Sequence, residues 1–139
     1  MRRPLPIVGH RVELARYRIP AGERVLYVGD DSRSQIHRYD VGPDGRPGPA
    51  TLFIDGAKVD GGLQVPDGIA VDDLGNLYVT SNSAAVSAVV VFAPDGHLLG
   101  KIPVPRPPSN ATFGDADRKT LYITAVDVYR VRLGVAGLP

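Results

Sequence analysis

Short stretches of alternating apolar and polar residues dominate this chain, and none of them has a convincing helical period. The stretches are rich in Val, Ile and Tyr and are bounded by Gly, Pro, Asp or Asn, a pattern that is typical of β-strands separated by turns. The pattern predicts strands at Arg24–Val28, Ile36–Val41, Ala50–Ile54, Gly68–Val71, Asn76–Thr80, Ala88–Phe92, His97–Ile102, Ala111–Phe113, Thr120–Thr124 and Val128–Leu133.

One strand recurs three times. Val25-Leu26-Tyr27-Val28, Asn76-Leu77-Tyr78-Val79 and Thr120-Leu121-Tyr122-Ile123 begin 51 and 44 residues apart, and each precedes a second apolar strand. This period is close to that of a β-propeller blade, which is a four-stranded antiparallel meander. The segment from Gly68 to Val104 has the full order of four strands, so the sequence predicts an all-β propeller fold.

The tripeptide Pro-Asp-Gly also occurs three times, at Pro43–Gly45, Pro66–Gly68 and Pro94–Gly96. Pro followed by Asp-Gly favours a turn, because Pro presets φ and Gly accepts a positive φ. Asp44 and Asp95 fall between a third and a fourth strand, where a hairpin turn is expected. Asp67 instead falls just before the innermost strand of its blade, which predicts a place at the mouth of the central channel.

Composition limits the function classes. The chain has 139 residues, no cysteine and a net charge of +1, which indicates one domain without disulfides or thiolate metal sites and favours neither a nucleic-acid nor a membrane partner. No apolar run is as long as a membrane span, and the N-terminus has no signal-peptide pattern. We therefore expect a cytoplasmic protein with a divergent, poorly ordered segment at 1–22 and a partial propeller at 23–139.

Several motifs, in order along residues 23–138, resemble the gluconolactonase/regucalcin (senescence marker protein) family. The quoted motifs are Gln35-Ile36-His37-Arg38-Tyr39-Asp40-Val41, Pro66-Asp67-Gly68-Ile69-Ala70-Val71-Asp72, Phe92-Ala93-Pro94-Asp95-Gly96-His97-Leu98-Leu99-Gly100 and Pro108-Ser109-Asn110-Ala111-Thr112-Phe113-Gly114. The resemblance implies a six-bladed β-propeller, of which this chain would supply about 2.5–3 blades of four-stranded antiparallel meanders.

The resemblance also implies hydrolysis of sugar lactones with one divalent cation, calcium or zinc. Carried over to this chain, it makes Asp67 a metal ligand that could also serve as a base, and Asp30 a weaker metal candidate. Asn110 and Thr112 become candidates for binding substrate.

The chain departs from the family at its N-terminal side, where the Glu and Asn metal ligands of the family have no counterpart. Glu13 is a poor substitute for the Glu. We therefore expect a truncated, catalytically incomplete lactonase that binds its cation weakly or not at all. Two alternatives stay open: a lactonase assembled from two copies, and a non-catalytic fragment that acts as a binding or oligomerisation module. Open blade edges favour self-association.

Overall fold

The chain folds into three antiparallel β-sheets, and the computed structural model describes the backbone of residues 12–18 and all of residues 24–138. Blade 1 consists of β1 (Val12–Arg18), β2 (Arg24–Asp30), β3 (Gln35–Val41) and β4 (Thr51–Asp55). Blade 2 consists of β5 (Pro66–Val71), β6 (Leu77–Asn82), β7 (Ser87–Phe92) and β8 (Leu98–Pro103). Blade 3 consists of β9 (Asn110–Gly114), β10 (Thr120–Ala125) and β11 (Asp127–Arg132).

Each blade is a meander, because strands that are neighbours in sequence are also neighbours in the sheet. Blades 1 and 2 have four strands and blade 3 has three, with β11 at its edge. All ten predicted strands are present, with ends that differ by a few residues from the predicted ones. The prediction of an all-β meander fold is therefore confirmed.

Strand β1 was not predicted from the sequence. It pairs with β2 along its whole length, from Val12 opposite Asp30 to Arg18 opposite Arg24. The segment reads VELARYR, and its pairing with β2 decides its conformation. The rest of the segment at 1–22 that we expected to be poorly ordered lies outside the described residues.

The first strands of the three blades lie side by side, since β5 contacts both β1 and β9. Their starts meet at one end of the sheets, which we call the mouth. Glu13, at the start of β1, pairs with Gly29 of β2, and Gly29 lies against Pro66 at the start of β5. Gly68 of β5 lies against Asn110 at the start of β9. The mouth is therefore where the beginnings of the inner strands converge.

Two apolar layers hold the blades together, one on each face of blade 2. Strand β5 is buried along its whole length and serves both layers, because Ile69 and Val71 face blade 1 while Ala70 faces blade 3. The layer between blades 1 and 2 contains Val25, Tyr27, Ile36, Ile54, Leu63, Leu77, Val79, Val90 and Phe92. The layer between blades 2 and 3 contains Tyr78, Val89, Val104, Ala111, Leu121, Ile123 and Ala125.

Helix is nearly absent from the described part of the chain, where a single 3-10 turn at Gly56–Lys58 follows β4. No helix among these residues has the length and apolar character needed to cross a membrane.

Candidate functional site

Asp67 lies at the mouth, one residue into β5, and only 9% of its surface is exposed. The pairing of β5 with β6 is irregular here. Pro66 pairs with Ser81 and Ile69 with Val79, so Asp67 and Gly68 together face the single residue Thr80. Such a β-bulge bends the strand and redirects a side chain. The bulge therefore gives Asp67 an orientation that regular pairing would not.

The residue that leads into this bulge has an unusual backbone. Val65 has a φ of 47°, in the left-handed region, although it is β-branched and precedes a proline. Both properties disfavour that conformation. Hydrogen bonds fix the turn: the Val65 N–H donates to Ser34 Oγ at 3.3 Å, and the Val65 carbonyl accepts from the Asn82 N–H at 3.1 Å. The turn before Asp67 is thus held by residues of blades 1 and 2.

The Asp67 carboxylate accepts a hydrogen bond from the Asn82 side chain, with Nδ2 3.0 Å from Oδ2. Asn82 is the last residue of β6 and is half-buried. The sequence analysis missed this residue. Its only signal was its place at the end of the strand that pairs with the strand of Asp67.

Asn110 lies beside the bulge, at the start of β9. The Gly68 N–H donates to Thr80 Oγ1 within blade 2 at 2.7 Å. It also donates to the carbonyl of Ser109 at 3.0 Å, and this bond ties blade 2 to the start of blade 3. The Asn110 side-chain oxygen accepts from the N–H of Ala111 at 2.8 Å. The structure therefore brings Asn110 and Asp67 to neighbouring positions, with the Asn110 oxygen bound to its own strand.

Thr112 lies farther along β9. It pairs with Tyr122 of β10 and is exposed on the face of blade 3 opposite Ala111, which packs against blade 2. The proposed contact of Thr112 with substrate stays a prediction.

Asp30 ends β2 and holds its own loop. Its Oδ1 accepts from Ser32 Oγ at 2.7 Å and from the Arg33 N–H at 3.1 Å, and its Oδ2 lies 2.8 Å from Arg33 Nη1. Partial burial raises the pKa of Asp30, but the hydrogen bonds from Ser32 and Arg33 and the charge of Arg33 outweigh it and lower the pKa to about 2. The Arg33 guanidinium occupies the position in which a cation would meet this carboxylate.

The described residues contain no cluster of acidic, histidine or cysteine side chains that marks a cation site. Nowhere among them do three Asp, Glu, His or Cys side chains come together in a way that could hold a metal ion. Calcium takes six to eight oxygen ligands, and zinc in catalytic sites takes three protein ligands. Glu13 has its backbone opposite Gly29 in the pairing of β1 with β2, and its side chain lies outside the described part. The expected cation remains a prediction.

Residues 19–127 match the family model described as "SMP-30/Gluconolactonase/LRE-like region". The chain is 35% identical over 100 residues to a 6-deoxy-6-sulfogluconolactonase from Pseudomonas putida, a match that covers 71% of this chain and 33% of the relative. It is 37% identical over 123 residues to a gluconolactonase from Zymomonas mobilis, covering 83% of this chain and 33% of that protein.

The solved structure of regucalcin from Agrobacterium tumefaciens, described as a calcium-binding protein, has the same fold. Its TM-score is 0.70 at 22% identity, over 88% of this chain and 45% of the other. The chain spans about a third of the length of the two curated relatives. These matches follow the order of the motifs and the three meanders described above. The chain belongs to the SMP-30/gluconolactonase/LRE-like family, and its three sheets are blades of a six-bladed β-propeller.

Proposed function

We propose that this chain supplies the Asp67 side of a site that hydrolyses sugar lactones. Two relatives whose names state a gluconolactonase activity support the reaction class. The observation that carries the proposal is the buried Asp67 carboxylate, held by Asn82 at the mouth where the inner strands converge. Asp44 and Asp95, the aspartates of the two other Pro-Asp-Gly tripeptides, lie in exposed hairpins.

A lactone is a cyclic ester, and its hydrolysis adds water to the carbonyl carbon and breaks the ring C–O bond. The products are a carboxylate and a free hydroxyl. A carboxylate beside the attacking water can take its proton, which is general base catalysis. We assign this role to Asp67.

Polar groups around the mouth suit the hydroxyls of a sugar lactone. Ser109 Oγ lies 3.1 Å from Thr124 Oγ1, and both side chains are exposed next to the Asn110 backbone. Hydroxyl and amide groups can each donate and accept hydrogen bonds, as a polyhydroxylated ligand requires. This surface is the proposed binding side of the site, and it includes Asn110.

The described residues supply only part of the proposed site. A developing negative charge on the lactone carbonyl oxygen needs preorganised donors or a cation, and a cation needs several ligands. Among the described residues no three Asp, Glu, His or Cys side chains group around Asp67, and Asp30 is paired with Arg33. We propose that the further ligands come from protein outside the described residues.

A second candidate function is a binding or oligomerisation module. The observation that favours it is the edge of blade 3, where Val126 is 90% exposed and Val128 is 69% exposed. Among the described strands, β11 pairs only with β10. An exposed edge strand can pair with another chain. Light scattering of the purified chain tests this: a concentration-dependent increase in mass supports it, and a monodisperse monomer contradicts it.

Hydrolysis of glucono-1,5-lactone tests the main proposal. The rate above spontaneous hydrolysis would be measured with calcium, with zinc and with a chelator, in the wild-type chain, in Asp67→Ala and in Asp95→Ala. We expect a wild-type rate that Asp67→Ala abolishes and Asp95→Ala leaves unchanged. Equal rates in wild type and Asp67→Ala would contradict the assignment of Asp67, and no wild-type rate under any condition would contradict lactonase activity of this chain.

A further inference from the structure

Asn82 binds the segment around Asp67 at two points. Its backbone N–H donates to the Val65 carbonyl at 3.1 Å, and its side-chain Nδ2 donates to Asp67 Oδ2 at 3.0 Å. One residue at the end of β6 therefore holds both the turn that leads into β5 and the carboxylate that follows it.

The turn needs such a restraint. A left-handed conformation is unfavourable for an L-residue, and Val65 is in addition β-branched and followed by Pro66. A strained backbone persists only where its surroundings fix it. Asn82 fixes it from blade 2, and Ser34 fixes it from blade 1.

The carboxylate needs a restraint of its own. The terminal torsion of an aspartate has a broad energy profile, so burial alone does not fix the plane of its two oxygens. A directional bond from an amide to one oxygen does fix it. On the side of Gly68 that faces blade 3, Asn110 lies so close that there is no room for a Cβ atom at position 68. This contact limits the movement of the backbone next to Asp67.

We infer that Asn82 is a positioning residue for the Asp67 carboxylate, an inference that rests on the proposed function. The contrast with Asp30 supports it. Arg33 holds Asp30 with a positive charge, which offsets the negative charge of that carboxylate. The Asn82 amide is neutral, so it orients Asp67 without reducing the charge that the proposed chemistry uses.

Kinetics of Asn82→Ala and Asn82→Asp test this role against Ser83→Ala. Ser83 is the next residue and bonds to Gln64 Oε1 at 2.8 Å, so it is a matched control. We expect kcat to fall about 10- to 100-fold in Asn82→Ala, as for a misplaced catalytic group, with KM changed less than about twofold. Asn82→Asp should lower kcat further than Asn82→Ala, because a second carboxylate would face Asp67. Ser83→Ala should retain the wild-type kcat, and unchanged kcat in Asn82→Ala would overturn the inference.

A double variant separates positioning from folding. Asn82→Asp combined with Asp67→Asn restores an amide–carboxylate bond but moves the carboxylate to position 82. We expect the double variant to regain the wild-type melting temperature without regaining kcat. Recovery of both would show that the pair has a merely structural role.

A third readout needs no activity. In wild type, the Asn82 side-chain NH₂ should exchange with solvent slowly by NMR, and in Asp67→Ala it should exchange at least about tenfold faster, as expected for loss of a hydrogen bond to a charged group. Equal exchange in the two proteins would overturn the inference. The exchange rate tests the role of Asn82 even if the wild-type chain hydrolyses no lactone. Absence of hydrolysis would contradict the proposed function but not the bond between Asn82 and Asp67.

Discussion

The start of β5 and the β7–β8 hairpin contain the same tripeptide in two different environments. In the hairpin, Asp95 is exposed and caps its own turn, with Oδ1 accepting from the His97 N–H at 3.0 Å and Gly96 at a φ of 89°. At the start of β5, Asp67 is buried, and its carboxylate reaches Asn82, fifteen residues away. In the hairpin the glycine supplies a positive φ. In β5 it provides room for Asn110.

The comparison shows that local sequence does not decide the role of this motif. The β3–β4 hairpin repeats the β7–β8 arrangement, because Asp44 Oδ1 accepts from the Arg46 N–H at 3.1 Å and Gly45 has a φ of 77°. Contacts with Asn82 of β6 and with Asn110 of blade 3 distinguish the start of β5 from the two hairpins. The effects of substitutions at the start of β5 and in the hairpins should therefore differ in size and in kind.

Gly68→Ala should give the largest effect. A Cβ atom at Gly68 would lie 2.6 Å from the Cα of Asn110, where the backbone must move. We expect a loss of about 3 kcal/mol in the free energy of unfolding, because overpacking shifts two blades. Urea denaturation measures it. Gly45→Ala is the control: its Cβ would meet nothing within 4 Å, so the cost is the positive φ alone, about 1 kcal/mol. Equal losses would contradict the close contact between the blades.

Asp72→Ala extends the comparison to another turn aspartate. Asp72 is fully buried, and its carboxylate accepts from the N–H groups of Leu74 and Asn76, from Asn76 Nδ2 and from the Tyr78 hydroxyl. Its loss leaves buried donors without partners, so we expect a cost of about 2 kcal/mol. Asp95→Ala removes one exposed bond, and we expect at most about 0.5 kcal/mol in the same denaturation experiment. A larger loss of stability in Asp95→Ala than in Asp72→Ala would contradict this expectation.

Val65→Gly should stabilise the fold and impair the site. Glycine relieves the left-handed strain, and we expect a gain of about 0.5–1 kcal/mol in thermal unfolding. Val126 has a φ of 68° in the exposed β10–β11 turn and serves as the matched control. Val126→Gly should give a similar gain in stability. Ligand binding at the mouth should weaken only in Val65→Gly, and weakening in both variants would contradict a specific role for the turn before Asp67.

Asp30→Asn should give the smallest effect, seen only in the pH dependence of unfolding. The folded-state pKa of Asp30 is about 2, below the ordinary aspartate value of 3.8. The stabilisation from its bonds is therefore fully present above the higher value and is lost as the pH falls towards the lower one. The stability difference between wild type and variant should therefore be constant above about pH 5 and should shrink between about pH 4 and 2. A difference that does not change with pH would contradict the pairing with Arg33.

The strands could be predicted from the sequence because alternation and turn residues are local signals. The blade register was predictable too, since the LYV strands repeat, and it separated Asp67 from Asp44 and Asp95 correctly. Strand β1 was not predictable, because pairing with β2 rather than its own pattern decides its conformation. Asn82 and the contact between Gly68 and Asn110 join residues that are far apart in sequence, and no motif marks them.

The most direct test of the Asp67 assignment is an NMR titration of the wild-type chain with 1,5-anhydro-D-glucitol, a neutral analogue of glucono-1,5-lactone that lacks the carbonyl group and is not hydrolysed. We predict saturable shifts of the amide signals of Gly68, Asn82 and Asn110 at the mouth, and none at Gly45 and Gly96 in the hairpins. The shifts should disappear in Asp67→Ala. Shifts at the hairpin amides of equal size, or mouth shifts that persist in Asp67→Ala, would contradict the account.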